Sequence, residues 1–79
     1  MIKTTILLNT IESVKSFVNI VSKFDAPMDL ASGRYVVDAK SIMGIFSMDL
    51  TRPMDLHIHG SQAEAEEILE RLEGYLVKK

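Results

Sequence analysis

Residues 54–59, Met-Asp-Leu-His-Ile-His, constrain this chain more than any other stretch. Apolar and polar side chains alternate there without a break. Met54, Leu56 and Ile58 fall on one side, and Asp55, His57 and His59 on the other. A period of two belongs to a strand with one buried face and one wet face. Such a strand sits in an antiparallel sheet covered on one side, because parallel sheets are buried on both. Thr51-Arg52-Pro53 breaks the chain before it and Gly60 closes it. Ser61-Gln62-Ala63-Glu64 then has capping-box spacing, in which serine and glutamate satisfy each other's backbone donors. The spacing predicts a helix over 62–77 with Ala65, Ile68, Leu69, Leu72 and Leu76 inward. Glu64, Glu66 and Glu67 suit its positive end, and Lys78-Lys79 its negative end.

The rest of the chain is read against that strand. Residues 2–8 form a strand rich in β-branched groups, with Ile2, Thr4, Ile6 and Leu8 on one face. Asn9 or Thr10 caps a helix whose apolar residues recur every three to four positions: Ile11, Val14, Phe17, Val18, Val21 and Phe24. Pro27 ends the connection, since it disfavours helix in the residue before it. Two short strands, near 28–32 and 34–38, meet at Ser32-Gly33, where glycine supplies the positive φ of a tight turn. Residues 41–48 form a short helix. At 100° per residue Ile42, Met43 and Phe46 share one arc while Ile45 and Met48 share another. It therefore buries one face and keeps apolar surface on the other.

The order β-α-β-β-α-β-α places the chain in the α+β class. One domain spans 1–79, a four-stranded antiparallel sheet with three helices on one face. Its expected core holds Ile6, Leu8, Val18, Leu30, Val37, Leu56, Ile58, Leu69 and Leu72. With 79 residues there is room for a single core.

Charge and composition narrow the function. A net charge of −2 without a basic cluster argues against a nucleic-acid partner. No apolar run approaches the ~20 residues that span a bilayer, so a soluble cytoplasmic protein without a membrane partner is expected. There is no cysteine, hence no disulfide or thiolate metal site. His57 and His59 share a face, but only Asp55 stands nearby as a third ligand, too few for a transition-metal site. No Ser-His-Asp order, glycine-rich phosphate loop or HExxH motif occurs. A non-enzymatic protein without cofactor or metal is the expectation.

Two stretches carry a resemblance to a known family. Lys40-Ser41-Ile42-Met43-Gly44-Ile45-Phe46-Ser47 is similar to the segment around the regulatory serine of HPr proteins, the histidine-containing phosphocarriers of the bacterial sugar phosphotransferase system. Ser22-Lys23-Phe24-Asp25-Ala26, with Leu30 downstream, resembles the end of that family's first helix. The resemblance implies an open-faced sandwich over the whole chain. The family's first helix begins with a His-Ala-Arg-Pro-like motif, and an ungapped count back from Ser41 puts Thr10, Ile11, Glu12 and Ser13 at those places. Threonine has no imidazole to carry phosphate, and Glu12 puts a negative charge where the family has arginine.

The chain thus resembles the Crh-like branch of the family, which lacks the histidine and keeps the serine. The resemblance implies phosphorylation of Ser41 by an HPr kinase/phosphorylase. It also implies docking to a transcriptional regulator through Ile42, Met43 and Phe46, with a role in carbon catabolite repression. Two other readings stay open: a phosphocarrier using a non-standard residue, and an HPr-fold binding module with no phosphorylation. Ser41 is equally suited to be a plain helix cap.

Overall fold

Residues 2–77 are the part of the chain that the computed structural model describes. In order they form β1 (Ile2–Ile6), α1 (Ile11–Val21), β2 (Met28–Ser32), β3 (Tyr35–Asp38), α2 (Ile42–Phe46), β4 (Met54–Ile58), α3 (Gln62–Arg71) and a 3-10 turn (Glu73–Tyr75). This is the expected order β-α-β-β-α-β-α, a four-stranded antiparallel sheet carrying three helices.

The alternating strand lies inside the sheet. The spatial order is β1-β4-β2-β3, so β4 is hydrogen-bonded on both sides. Thr4, Leu56, Leu30 and Val37 form one row across the four strands. Leu56 and Leu30 in that row are fully buried under the helices. The next row, Lys3, His57, Asp29 and Asp38, lies on the open face. There Lys3 Nζ stands 3.7 Å from Asp55 Oδ2, and the Thr5 hydroxyl donates to Asp55 Oδ1 at 3.4 Å. His57 accordingly points away from the helix layer, as the alternation requires.

Each helix begins on a hydroxyl cap. Thr10, Ser41 and Ser61 all have extended backbone, and their side-chain oxygens accept the N–H groups of Ser13, Gly44 and Glu64. Each cap satisfies a donor that the first turn leaves orphaned. Of the expected capping box only the Ser61 arm is formed among the described residues. From α1 the core takes Val14, Phe17 and Val21; from α3 it takes Ala65 and Ile68, followed by Leu72. Burying one such large side chain contributes about 1.5–3 kcal/mol.

The structure corrects the sequence reading in several places. Ile11 is 61% exposed, because it lies in the first turn of α1, beyond the rim of the sheet-facing stripe. Val18, Val37 and Leu69 pack against the core but remain half-buried at its margin, whereas Ile6, Leu8, Leu30, Leu56, Ile58 and Leu72 are sealed. The last helix ends at Arg71 and does not run to residue 77. After the 3-10 turn, Leu76 bridges to Ile6 as a strand residue. Leu7 N–H donates to Tyr75 O and Val77 N–H to Thr5 O, both at 2.9 Å. The tail thereby covers the last part of the outer edge of β1, around Thr5–Leu7. Tyr75 also meets Phe17 edge-on, ring centres 6.2 Å apart. Leu76 stands four residues after Leu72, so its spacing fits a helix and a returning strand equally well. Lys78-Lys79 lie outside the described residues.

Candidate functional site

Ser41 is held in place by the segment that leaves β3. Ala39 is buried and its N–H donates to Met28 O at 2.9 Å, which extends the β2–β3 ladder by one pair. Asp38 Oδ1 then accepts the Lys40 N–H at 2.8 Å, and Asp38 O accepts the Ser41 N–H at 3.0 Å. Lys40 folds back, its Nζ donating to Phe24 O at 2.6 Å beyond the end of α1. The chain is thus tied on both sides just before Ser41, and the serine itself is exposed.

Ser41 Oγ accepts the Gly44 N–H at 3.2 Å. Gly44 packs close to β3. A Cβ there would lie 3.2 Å from Ser41 Oγ and 3.3 Å from Val37 Cβ, tighter than ordinary contact. The helix that follows is five residues long and splits as its spacing suggested. Ile45 is sealed in the core and Met48 nearly so, while Met43 is 76% exposed. Ile42 and Phe46 lie between these extremes, half-buried against the core and half open.

Thr10 caps α1 and is exposed. Its hydroxyl both accepts the Ser13 N–H at 3.0 Å and donates to Ser13 Oγ at 2.8 Å. Glu12 is exposed in the first turn, where a carboxylate suits the positive end of the helix. α1 and α2 pack against each other.

The histidines lie elsewhere. His57 is half-buried on the open sheet face; His59 follows the end of β4 and places Nε2 2.9 Å from Asp29 Oδ2. Among the described residues no three metal-ligating side chains come together.

The sequence did not reveal a cleft of about 520 Å³ between the β2–β3 turn and the segment after α2, with Arg34, Tyr35, Met48 and Arg52 on its walls. On its rim Asp49 Oδ1 accepts the Thr51 hydroxyl at 2.6 Å and the Thr51 N–H at 3.0 Å. Those bonds, helped by the nearby Arg52 charge, hold the Asp49 carboxyl below the usual aspartate value. No local motif marks such a cleft, because it arises from two segments fifteen residues apart in the chain at Ser32 and Ser47.

Comparison with known proteins places these features in context. Residues 13–78 match the family described as the PTS HPr component phosphorylation site. The match begins just after residues 10–12. HPr-C-His from Thermoanaerobacter tengcongensis is 29% identical, with a TM-score of 0.74 over 91% of this chain and 90% of that one. A phosphocarrier protein HPr from Bacillus anthracis str. Ames is 26% identical, with a TM-score of 0.76 over 96% of both chains. Crh, the Bacillus subtilis catabolite repression containing protein, shares the fold at 23% identity, with a TM-score of 0.66 over 95% of this chain and 88% of that one. No curated protein matches the sequence.

Proposed function

Because the chain belongs to the HPr family of phosphotransferase-system proteins, we propose that it is a regulatory member of that family and not a phosphocarrier. In this reading the chain acts as one HPr-like module, in the cytoplasm, with no catalysis of its own. Ser41 receives phosphate from an HPr kinase/phosphorylase, and Ile42, Met43 and Phe46 then dock a transcriptional regulator. The observation that carries it is the pairing of an exposed Ser41 with an exposed Met43 on one short helix whose other face is sealed in the core. An apolar side chain presented to water beside a modifiable hydroxyl suits a partner surface, and methionine adapts well to one.

The carrier role is disfavoured by chemistry at the start of α1. Thr10 cannot form a phosphoramidate, and its hydroxyl is engaged with Ser13. Both histidines lie on and after β4 at the end of the sheet that pairs with Ile2 and Lys3, whereas the chain enters α1 from the Ile6 end. Glu12 would oppose a phosphate placed there. At Ser41 the same carboxylate is a mild handicap, because screening at a wet surface weakens repulsion between exposed charges.

Two incubations test the proposal: HPr kinase with ATP, and enzyme I with phosphoenolpyruvate, each followed by mass spectrometry. Phosphate on Ser41 in the first and none in the second is the expected result. An acid-labile phosphate on His57 or His59 would instead establish a carrier using a non-standard residue. No phosphate in either leaves an HPr-fold binding module that works through Met43 alone.

A further inference from the structure

The two edges of the sheet are treated differently. The end of β1 is covered by the returning tail at Leu76, whereas β3 has no strand beside its outer edge among the described residues. The bond from Ala39 N–H to Met28 O fixes the direction of every backbone group on β3. Residues 35, 37 and 39 point towards β2, so Val36 and Asp38 direct their N–H groups outward. Neither outward N–H has an intrachain partner among the described residues. On the same strand Tyr35 is 70% and Val36 63% exposed, large apolar side chains that a lone edge normally avoids.

The charges along this edge are self-complementary. Residues 34–38 read Arg-Tyr-Val-Val-Asp, with opposite charges at the two ends of an apolar centre. A second copy approaching antiparallel about a two-fold axis at Val36 sets Val36 against Val36 on the axis, and Tyr35 against Val37 and Arg34 against Asp38 twice each by symmetry. Registers centred on Arg34 or Asp38 oppose like charges. Those centred on Tyr35 or Val37 leave the Arg34–Asp38 pair unmade. Within its own sheet Asp38 faces Asp29, a like-charge pair, and Asp29 is already engaged by His59. Arg34 of a second copy would supply the missing counter-charge to Asp38. The hairpin presents Arg34 at its tip: Gly33 has φ +59°, Arg34 does not have positive φ, and this combination fits a II′ turn.

We propose that β3 is a self-association edge, pairing with β3 of a second copy in the Val36-centred register to make one continuous sheet. The occupant is another copy of this chain, and the reading is independent of phosphorylation at Ser41. A strand of four residues gives a small interface, well under about 1,000 Å², so the dimer is weak and reversible.

The test is a dilution series of the full chain by ¹⁵N NMR and sedimentation equilibrium, from about 20 µM to about 2 mM, bracketing the weak affinity of so small an interface. Concentration-dependent shifts are expected at the outward amides of Val36 and Asp38, and less at Tyr35 and Val37. Arg34→Asp and Asp38→Arg should each lower the association constant at least tenfold, and the double exchange R34D/D38R should restore it. Asp38→Arg also removes the acceptor for the Lys40 N–H, so Val36→Pro, which removes an outward donor and the central Val36 side chain but no inward N–H, serves as a second disruption that leaves the β2–β3 donors in place. A strict monomer at 2 mM would overturn the proposal. So would a dimer indifferent to Arg34→Asp and Val36→Pro, or a folded double exchange that fails to reassociate.

Discussion

Thr10 and Ser13 are joined twice, the threonine hydroxyl accepting the Ser13 N–H at 3.0 Å and donating to Ser13 Oγ at 2.8 Å. The side chain at the opening of α1 therefore has structural work to perform. Thr10→Ala is expected to lower stability by about 1 kcal/mol, the usual worth of an N-cap. In a domain of this size that lowers Tm by roughly 4–8 °C, measurable by thermal unfolding followed by circular dichroism. Thr10→His with Glu12→Arg should acquire an acid-labile phosphate from enzyme I, and Thr10→His alone much less. Equal labelling of the two would show that Glu12 is not an obstacle.

Gly44 sits where a methyl group would press on Val37 Cβ and on Ser41 Oγ. Alanine is the better helix former by about 1 kcal/mol, so propensity alone argues for stabilisation. Overpacking costs about 1–3 kcal/mol when neither neighbour can move freely, and Val37 is pinned in a β-ladder. Gly44→Ala should therefore be net destabilising in urea unfolding. A gain in stability would mean that α2 shifts away from β3 without cost.

Met43 and Ile45 lie two positions apart on α2 with opposite exposures. Met43→Lys touches nothing in the core and should leave stability within about 0.5 kcal/mol. Ile45→Ala should cost about 2–5 kcal/mol, because its side chain is sealed. Loss of regulator binding in Met43→Lys at unchanged stability would separate a docking residue from a packing one. Calorimetric titration with the partner reads the first effect and urea unfolding the second.

The legibility of these features in the sequence follows their range. The alternation at 54–59 needed only local periodicity, and the buried face of β4 followed from it. The caps at Ser41 and Ser61 were likewise visible, since a cap is a contact three residues long. The path of Leu76 was not, because a residue four after Leu72 satisfies a helical stripe as well as a returning strand. Ile11 misled for a related reason: periodicity marks a stripe but not where the sheet beneath it ends. At the candidate site, Ser41 and Met43 came from local pattern and resemblance. The Lys40 tie to Phe24 and the cleft between the hairpin and the loop after α2 needed the folded chain.

Asp49 gives the fold a pH dependence of known sign. Its carboxylate is favoured by bonds from the Thr51 hydroxyl and N–H and by the Arg52 charge, so its folded pKa lies below the ordinary value. The stabilisation is fully present above the unfolded pKa and is lost as pH falls through the folded one. Carbon-detected NMR should show Asp49 titrating at lower pH than a free aspartate. Asp49→Asn should flatten the stability profile in that acid window by lowering the neutral end, where the carboxylate's contribution is fully present, and should leave the acid end little changed. A titration at or above the ordinary value would contradict the hydrogen-bonded arrangement.

Ser41 serves as the cap of α2 and as the proposed acceptor of phosphate, so Ser41→Ala removes two functions at once. Asparagine separates them. It caps a helix about as well as serine, and it cannot be phosphorylated. Ser41→Ala should lose about 1 kcal/mol of stability together with all kinase-dependent label, while Ser41→Asn should keep the stability and lose only the label. If regulator binding depends on phosphate, both variants fail equally in a pull-down after incubation with kinase and ATP. If it depends only on a well-formed α2 presenting Met43, Ser41→Asn binds as wild type does and Ser41→Ala more weakly. Glu12→Arg then reports on the carboxylate: faster labelling of Ser41 identifies Glu12 as the charge that slows the kinase. An unchanged rate means the α1 opening is too far away, or too well screened, to influence Ser41.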